Sequence, residues 1–302
     1  DAKLRTPDEA VKIVKSGDWV DYTSSVGKPV LLDKALARRR DELEDVKIRG
    51  NLIPGPIQVV ECDPEQEHFV YHSWHCSDYE RSLCDKGLCY HIPQVFQNNA
   101  AYYKYFLDVN VVMVCVAPMD KHGYFNYSTN TGVAGPIVRN ADYVILEVNE
   151  HMPKLHGGYD ECIHISDVDC VVEGSHDPFP EYPNIVPSKE DVAIAKHIIP
   201  LLVDGATLQL GIGGIPNAIG DIIAESDLRD LGMHTELCTD AFLKIHRAGK
   251  LTNKKKNINP RKGVLGVAIG SSELYNWVDD NPSILAYPME YVNNPAIIGQ
   301  ID

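Results

Sequence analysis

Three glycines and one carboxylate in the second half of the chain have the types and spacing to do chemistry. The glycines lie in Leu208-Gln209-Leu210-Gly211-Ile212-Gly213-Gly214-Ile215-Pro216-Asn217, and the carboxylate, Glu236, ends the run Leu231-Gly232-Met233-His234-Thr235-Glu236. A glycine turn lets backbone N–H groups approach a ligand with no Cβ in the way, and a helix starting there adds partial positive charge. Gly211 to Ile215 is therefore a candidate cradle for an oxyanion or a phosphate. The dinucleotide fingerprint is the nearest standard pattern, and Glu236 falls about 20 residues on, where its ribose-binding acid would stand. Pro216, however, occupies the place of the third glycine. The plainer reading of Glu236 is a solvated or salt-bridged glutamate after a strand.

Two further clusters carry reactive types. Residues 68–91 gather His68, His72, His75, Cys76, Cys84, Cys89 and His91. Zinc is the chemistry such a set suggests, but no Cys-x-x-Cys pair occurs in it, so these residues read as pocket or core side chains and no metal is expected. Lys254, Lys255, Lys256, Arg261 and Lys262 form a basic run. Such a run is commonly a solvated surface, and in this chain it is also the best candidate for holding phosphates.

The glycine turn needs a strand to deliver it and a helix to follow. Thr207 to Leu210 is a short apolar strand, and Ala218, Ile219, Ile222, Ile223 and Ala224 resume at helical spacing as far as Glu225. Before them, a helix carrying Val192, Ile194, Ala195, Ile198, Ile199 and Leu202 is capped by Ser188-Lys189-Glu190-Asp191 and stopped at Gly205. The start of the chain has the same order. Thr6-Pro7-Asp8-Glu9 is a capping box, Gly17 stops its helix, Trp19 to Tyr22 is a strand, Thr23 to Pro29 is a turn, and Leu31, Leu32, Ala35 and Leu36 open a helix. This degenerate repeat implies two similar open α/β domains, although helix-strand-turn-helix also recurs by chance in α/β chains.

Val46 to Arg49, Gln58 to Glu61, Val109 to Pro118, Tyr143 to Glu147, Cys162 to Ser166, Val168 to Val172 and Val264 to Ile269 read as further strands, and Leu274 to Val278 as a helix. Pro178, Pro180, Pro183 and Pro187 stiffen the chain and mark a boundary, which gives domains 1–187 and 188–302. Ile297 to Asp302 reads as an extended apolar end, so the second domain looks incomplete at its C-terminus.

A net charge of -15 argues against nucleic acid or an acidic membrane as the partner, and the longest apolar run is too short to span a bilayer. With 302 residues there is enough chain for two cores, and the 8 cysteines show no disulfide framework. Free thiols in a reducing cytoplasm are the expectation.

The glycine turn and the Leu231 to Glu236 run together resemble the acetyl-CoA hydrolase/transferase family, and within it the enzymes that exchange CoA between butyryl-CoA and acetate. Ser16-Gly17-Asp18-Trp19-Val20-Asp21-Tyr22, Ser73-Trp74-His75, Ala117-Pro118-Met119-Asp120-Lys121-His122-Gly123-Tyr124-Phe125-Asn126 and Ile163-His164-Ile165-Ser166-Asp167-Val168 extend the resemblance over almost the whole chain. It implies a two-domain CoA-transferase fold, Glu236 as a nucleophile that carries CoA as a thioester, and Gly211, Ile212, Gly213, Gly214 and Ile215 as the CoA-binding turn. Acyl-CoA and short-chain carboxylates are the implied partners, with coenzyme A as substrate, no further cofactor, and a homo-oligomer as one possible assembly. Hydrolysis on the same scaffold, 4-hydroxybutyrate as acyl group, and a non-catalytic piece that holds CoA esters stay open. The resemblance also implies a later glycine-rich segment contacting CoA, so residues 1–302 by themselves are expected to transfer CoA poorly.

Overall fold

Runs of β-branched residues become parallel strands, and the stretches between them become helices, in the computed structural model, which describes residues 2–182 and 184–301. The chain forms two compact units. One takes the residues up to Met152 with Cys162–Phe179, and the other takes Pro153–Glu161 with the chain from Pro180 onward.

In the first unit the strands are β1 (Leu4–Arg5), β2 (Trp19–Asp21), β3 (Val46–Gly50), β4 (Phe69–Ser73), β5 (Tyr90–His91), β6 (Val111–Val116), β7 (Tyr124–Asn126), β8 (Tyr143–Val148), β9 (Cys162–His164) and β10 (Cys170–Glu173). Eight of them make one sheet in the order β1-β10-β8-β6-β2-β3-β4-β5, every neighbouring pair parallel, while β7 and β9 pair antiparallel. A parallel sheet is covered on both faces, and β6, buried at all six positions, is the continuous apolar run that such coverage requires. Its helices are α1 (Pro7–Ala10), α2 (Val30–Ala37), α3 (Gln58–Glu61), α4 (Asp78–Asp85), α5 (Asn99–Tyr105) and α6 (Thr131–Arg139). The Thr6 capping box is present as the sequence implies.

Gln58 to Glu61 is helical where a strand is expected. The buried Asp33 carboxylate accepts from Gln58 N at 2.8 Å and Val59 N at 3.3 Å, and these bonds cap the turn from outside it. No local pattern announces a cap drawn from another helix. A second such cap closes α2. Its first three N–H groups, from Val30, Leu31 and Leu32, donate to the Glu147 carboxylate of β8 at 2.9 to 3.1 Å.

The second unit has β11 (Thr207–Leu208), β12 (Gly232–Cys238), β13 (Gly263–Ala268) and β14 (Ile284–Ala286), side by side in chain order and all parallel. Helices α7 (Lys189–Ile198), α8 (Gly214–Glu225), α9 (Asp240–Arg247) and α10 (Ser272–Val278) alternate with them, followed by α11 (Met289–Val292) and α12 (Pro295–Ile298). Ala218, Ile219 and Ile223 of α8 and Phe242 and Ile245 of α9 share one core with Leu208, Met233 and Leu265 of the strands. The run from helix through strand and turn to helix thus occurs in both units, in support of the repeat.

The expected extended end instead begins in a helix, with Ile297 and Ile298 closing α12 and Gly299 and Gln300 in a turn. Asn294 caps α12, its side chain accepting from Ala296 N at 2.9 Å, and Pro295 sits at the first helical position. Of that stretch, Asp302 lies outside the described residues. Among the described residues no helix is long and apolar enough to cross a membrane.

Candidate active site

The glycine turn follows the C-terminal end of β11, and Glu236 lies inside the neighbouring strand. Thr207 pairs with Gly232 and Leu208 with Met233, and beyond the strand's end Thr235 Oγ1 lies within hydrogen-bond reach of Leu210 O at 3.2 Å and of Leu237 O at 3.0 Å, its one proton shared between them. Gly211 and Glu236 are the next residues along these two neighbouring segments. The turn and the strand that carries the carboxylate are therefore neighbours in the sheet.

The turn is built to leave backbone free. Gly213 is the N-cap of α8 at φ 135°, a conformation disfavoured for a side-chain-bearing residue, and α8 has no side-chain cap. Pro216 carries no N–H, and the Gly214 and Ile215 N–H groups, at the first two helical positions, meet no side-chain cap. A Cβ on Gly211 would meet nothing within 4 Å, whereas one on Gly214 would stand 2.1 Å from Asp191 Oδ2, the carboxylate that closes the α7 capping box. Gly214 is thus a packing residue, and Gly211 borders open space. Ile212 and Gly213 line a cleft of about 20 Å³ with Asn217, Thr239, Asp240 and Gly270. Tyr182, Asn184 and Ile185 cover it, held by Tyr182 N to Gly270 O at 2.9 Å and by Asn217 Nδ2 to Ile185 O at 2.7 Å.

Glu236 sits where two strands lose their alternation together. Met233 and Cys238 share the unit's core with sulfurs 3.8 Å apart, and so do Leu265 and Ala268 of β13. Strict period two would place each pair on opposite faces. The ladder keeps its register on both sides but passes over Glu236. Gly266 makes this break possible, since a Cβ there would lie 2.3 Å from Met289 Cε and 3.1 Å from Glu236 O. The half-buried Glu236 accepts a hydrogen bond from Asn293 Nδ2 at 2.5 Å, and no cation pairs with it among the described residues. His234, two residues back, contacts Val292 O through Nε2 at 2.9 Å, and burial holds it below the usual histidine range.

The corresponding turn in the first unit is filled. Where α8 has no side-chain cap, α2 has the Glu147 carboxylate against its end. Thr23, Ser25 and Ser128 there hold positive φ, and their buried hydroxyls lack partners. Strained residues and orphaned polar groups both concentrate at functional sites. The sequence shows only a small-residue turn at this place.

The basic run does not join the glycine turn. It precedes β13, at the opposite end of a parallel sheet from the C-terminal end of β11. Lys254, Lys255 and Arg261 are exposed, but Lys256 is buried and donates to Met233 O at 2.7 Å and Lys262 O at 2.8 Å. Burial lowers the Lys256 ammonium from 10.5 to about 8. Between those values the unfolded chain holds a proton that the fold has released, so stability rises with pH across this window. The Lys256 contribution is on the order of 3 kcal/mol between pH 8 and 10.5, read by urea unfolding as the difference between wild type and Lys256→Met, because thiols such as Cys76 and Cys238, held above their ordinary range by burial, contribute the opposite slope in the same window. A difference between the two proteins that does not change across that window would show a charged Lys256.

The family model for the acetyl-CoA hydrolase/transferase N-terminal domain matches residues 1–182, and that for the C-terminal domain matches residues 270–302. The butyryl-CoA:acetate CoA-transferase of Anaerostipes caccae is 44% identical over 302 residues, 99% of this chain and 68% of its own. RipA from Yersinia pestis superposes with a TM-score of 0.92 at 32% identity, over 100% of this chain and 70% of that one. The 4-hydroxybutyrate CoA-transferase of Porphyromonas gingivalis superposes at 0.82 and 29% identity, over 100% and 71%.

Proposed function

Because the chain belongs to the acetyl-CoA hydrolase/transferase family and is a CoA-transferase, we propose that it moves CoA between short-chain carboxylic acids, taking butyryl-CoA and acetate to butyrate and acetyl-CoA, through a thioester on Glu236. The observation that supports this reading is that Thr235, the residue before Glu236, reaches Leu210 O, the residue before Gly211, where the turn borders open space.

The Glu236 carboxylate attacks the thioester carbonyl, giving a mixed anhydride and CoA thiolate. The thiolate then attacks the glutamyl carbonyl, which releases the first acid and leaves CoA on Glu236. An incoming carboxylate runs the two steps backwards. Negative charge builds on a carbonyl oxygen at each attack, and backbone donors of the glycine turn are suited to stabilise it. A carboxylate is a weak nucleophile, so binding energy from the distant nucleotide half of CoA must force the reacting atoms together. Asn293 supports this reading by fixing one Glu236 oxygen.

Incubation with butyryl-CoA should add CoA to the peptide containing Glu236, seen by mass spectrometry, and acetyl-CoA should form only when acetate is present. CoA release independent of acetate would make the chain a hydrolase. Gly211→Ala tests the turn separately. Its methyl group meets nothing in the fold, so the melting temperature should hold while KM for acyl-CoA rises about tenfold. An unchanged KM would place CoA elsewhere.

A further inference from the structure

Cys76, Cys84 and Cys89 reach one point from three places. Cys76 precedes the N-cap Ser77 of α4, Cys84 lies in its last turn, and Cys89 comes just before β5. The start of the helix is held by a capping box in which Glu80 N donates to Ser77 Oγ at 3.1 Å and Ser77 N to Glu80 Oε2 at 2.8 Å. The buried Glu80 also takes bonds from Tyr71 OH at 2.7 Å and Ile53 N at 3.0 Å. At the other end Gly87, at φ 76°, reverses the chain, with Gly87 N bonded to Cys84 O at 3.0 Å and Leu88 N to Leu83 O at 2.8 Å. That reversal brings Cys89 back toward Cys84. All three cysteines are thus set by backbone that is already fixed.

Their sulfurs all lie within 4.8 Å of one another, and Cys76 Sγ and Cys84 Sγ are 3.8 Å apart. Zinc–thiolate bonds of ~2.3 Å in a tetrahedron place two sulfurs ~3.8 Å apart. A disulfide needs ~2.05 Å and leaves one of three thiols over. Cys89 is buried while Cys76 and Cys84 are partly exposed, so an ion has a way in and a packed floor to rest on.

We propose that Cys76, Cys84 and Cys89 form a three-thiolate site for a thiophilic divalent cation of the zinc class, with water in the fourth position. Each thiol gives its proton to solvent as its sulfur–metal bond forms, and nothing is oxidised or reduced. Burial raises Cys76 to about 11 and lifts Cys89 as well, so these two thiols are protonated at neutral pH and metal uptake must release protons. Three thiolates and a dication leave one negative charge, which the exposed side of the cluster can solvate. The bound ion would tie both ends of α4 to the approach of β5, an edge strand of the sheet.

The test uses the full chain, reduced and freed of metal, titrated with Zn²⁺ against a chromophoric chelator and separately with Co²⁺. Equimolar Zn²⁺ uptake is expected, together with a near-ultraviolet thiolate-to-cobalt charge-transfer band. Cys84→Ser should weaken binding by about 100-fold and abolish the band. Cys76→Ser, at the partly exposed rim, should do the same and guards against a misfolded Cys84 variant. Cys62→Ser, outside the cluster, should change neither. The proposal is overturned if the reduced wild type takes up no stoichiometric Zn²⁺, if Co²⁺ binds without the band, or if both cluster variants bind like the wild type. Reduced protein that takes up no Zn²⁺ but closes a Cys76–Cys84 disulfide on air exposure would equally overturn it.

Discussion

Glu236→Ala should lower butyryl-CoA to acetate exchange by on the order of 10⁴-fold or more, because it removes the only atom set proposed to bond to the acyl carbon and to CoA. The same substitution should leave the fold intact. Glu236 is half-buried, outside the pairing of β12 with β13, and loses one hydrogen bond, from Asn293, worth about 1 kcal/mol. Glu236→Gln keeps the shape and an acceptor for Asn293 but cannot form the thioester, so it should be equally inactive. Glu236→Asp keeps the carboxylate about 1 Å short of its place, and a displacement of that size costs on the order of 10²-fold. Exchange rates with matched folded protein decide the matter. Full transfer by Glu236→Ala would move the nucleophile to another residue.

Glu147→Ala should cost about 4 kcal/mol of stability. The carboxylate is buried, and it satisfies three consecutive N–H groups at the start of α2. Removing it leaves three donors without acceptors, the Leu32 N–H buried and those of Val30 and Leu31 half-buried, at about 1–3 kcal/mol for each group that water cannot reach. Glu147→Gln keeps one acceptor oxygen and should fall between the two. Urea unfolding measures both, and a loss below about 1 kcal/mol for the alanine variant would mean that water replaces the carboxylate.

What was legible in the sequence was local. Thr6 with Glu9 and Ser188 with Asp191 are capping boxes in the structure as in the pattern, and the apolar run beginning at Val109 contains the buried strand Val111–Val116. The turn from Gly211 to Ile215 could be read because glycine and proline act on their own backbone. Features made by folding left little trace. Asn293 meets Glu236 across 57 residues, Gly266 matters only because Met289 crosses it, and Lys256 in a basic run gives no sign that it is the buried member. Gln58 to Glu61 carries β-branched residues, and its helix depends on Asp33. At the far end the reading failed for another reason. Asn294-Pro295 is a helix start that the neighbouring isoleucines obscure.

Residues 153–161 lie between β8 and β9 of the first unit yet belong to the second. Their partners come much later in the chain: Lys154 N bonds Asp279 Oδ1 at 2.7 Å, Asp280 N bonds Lys154 O at 2.7 Å, and Ala286 N bonds His156 O at 2.7 Å. On the ribosome, at about 5–20 residues per second, this loop therefore waits on the order of ten seconds before residues 279–286 exist to receive it. The first sheet can close around β10 in that interval with the loop hanging free, exposed to proteases and to chaperones. The same threading bears on how such a gene can be divided. A cut anywhere between 162 and 278 separates the loop from its partners, so the two halves cannot be exchanged between relatives as independent cassettes.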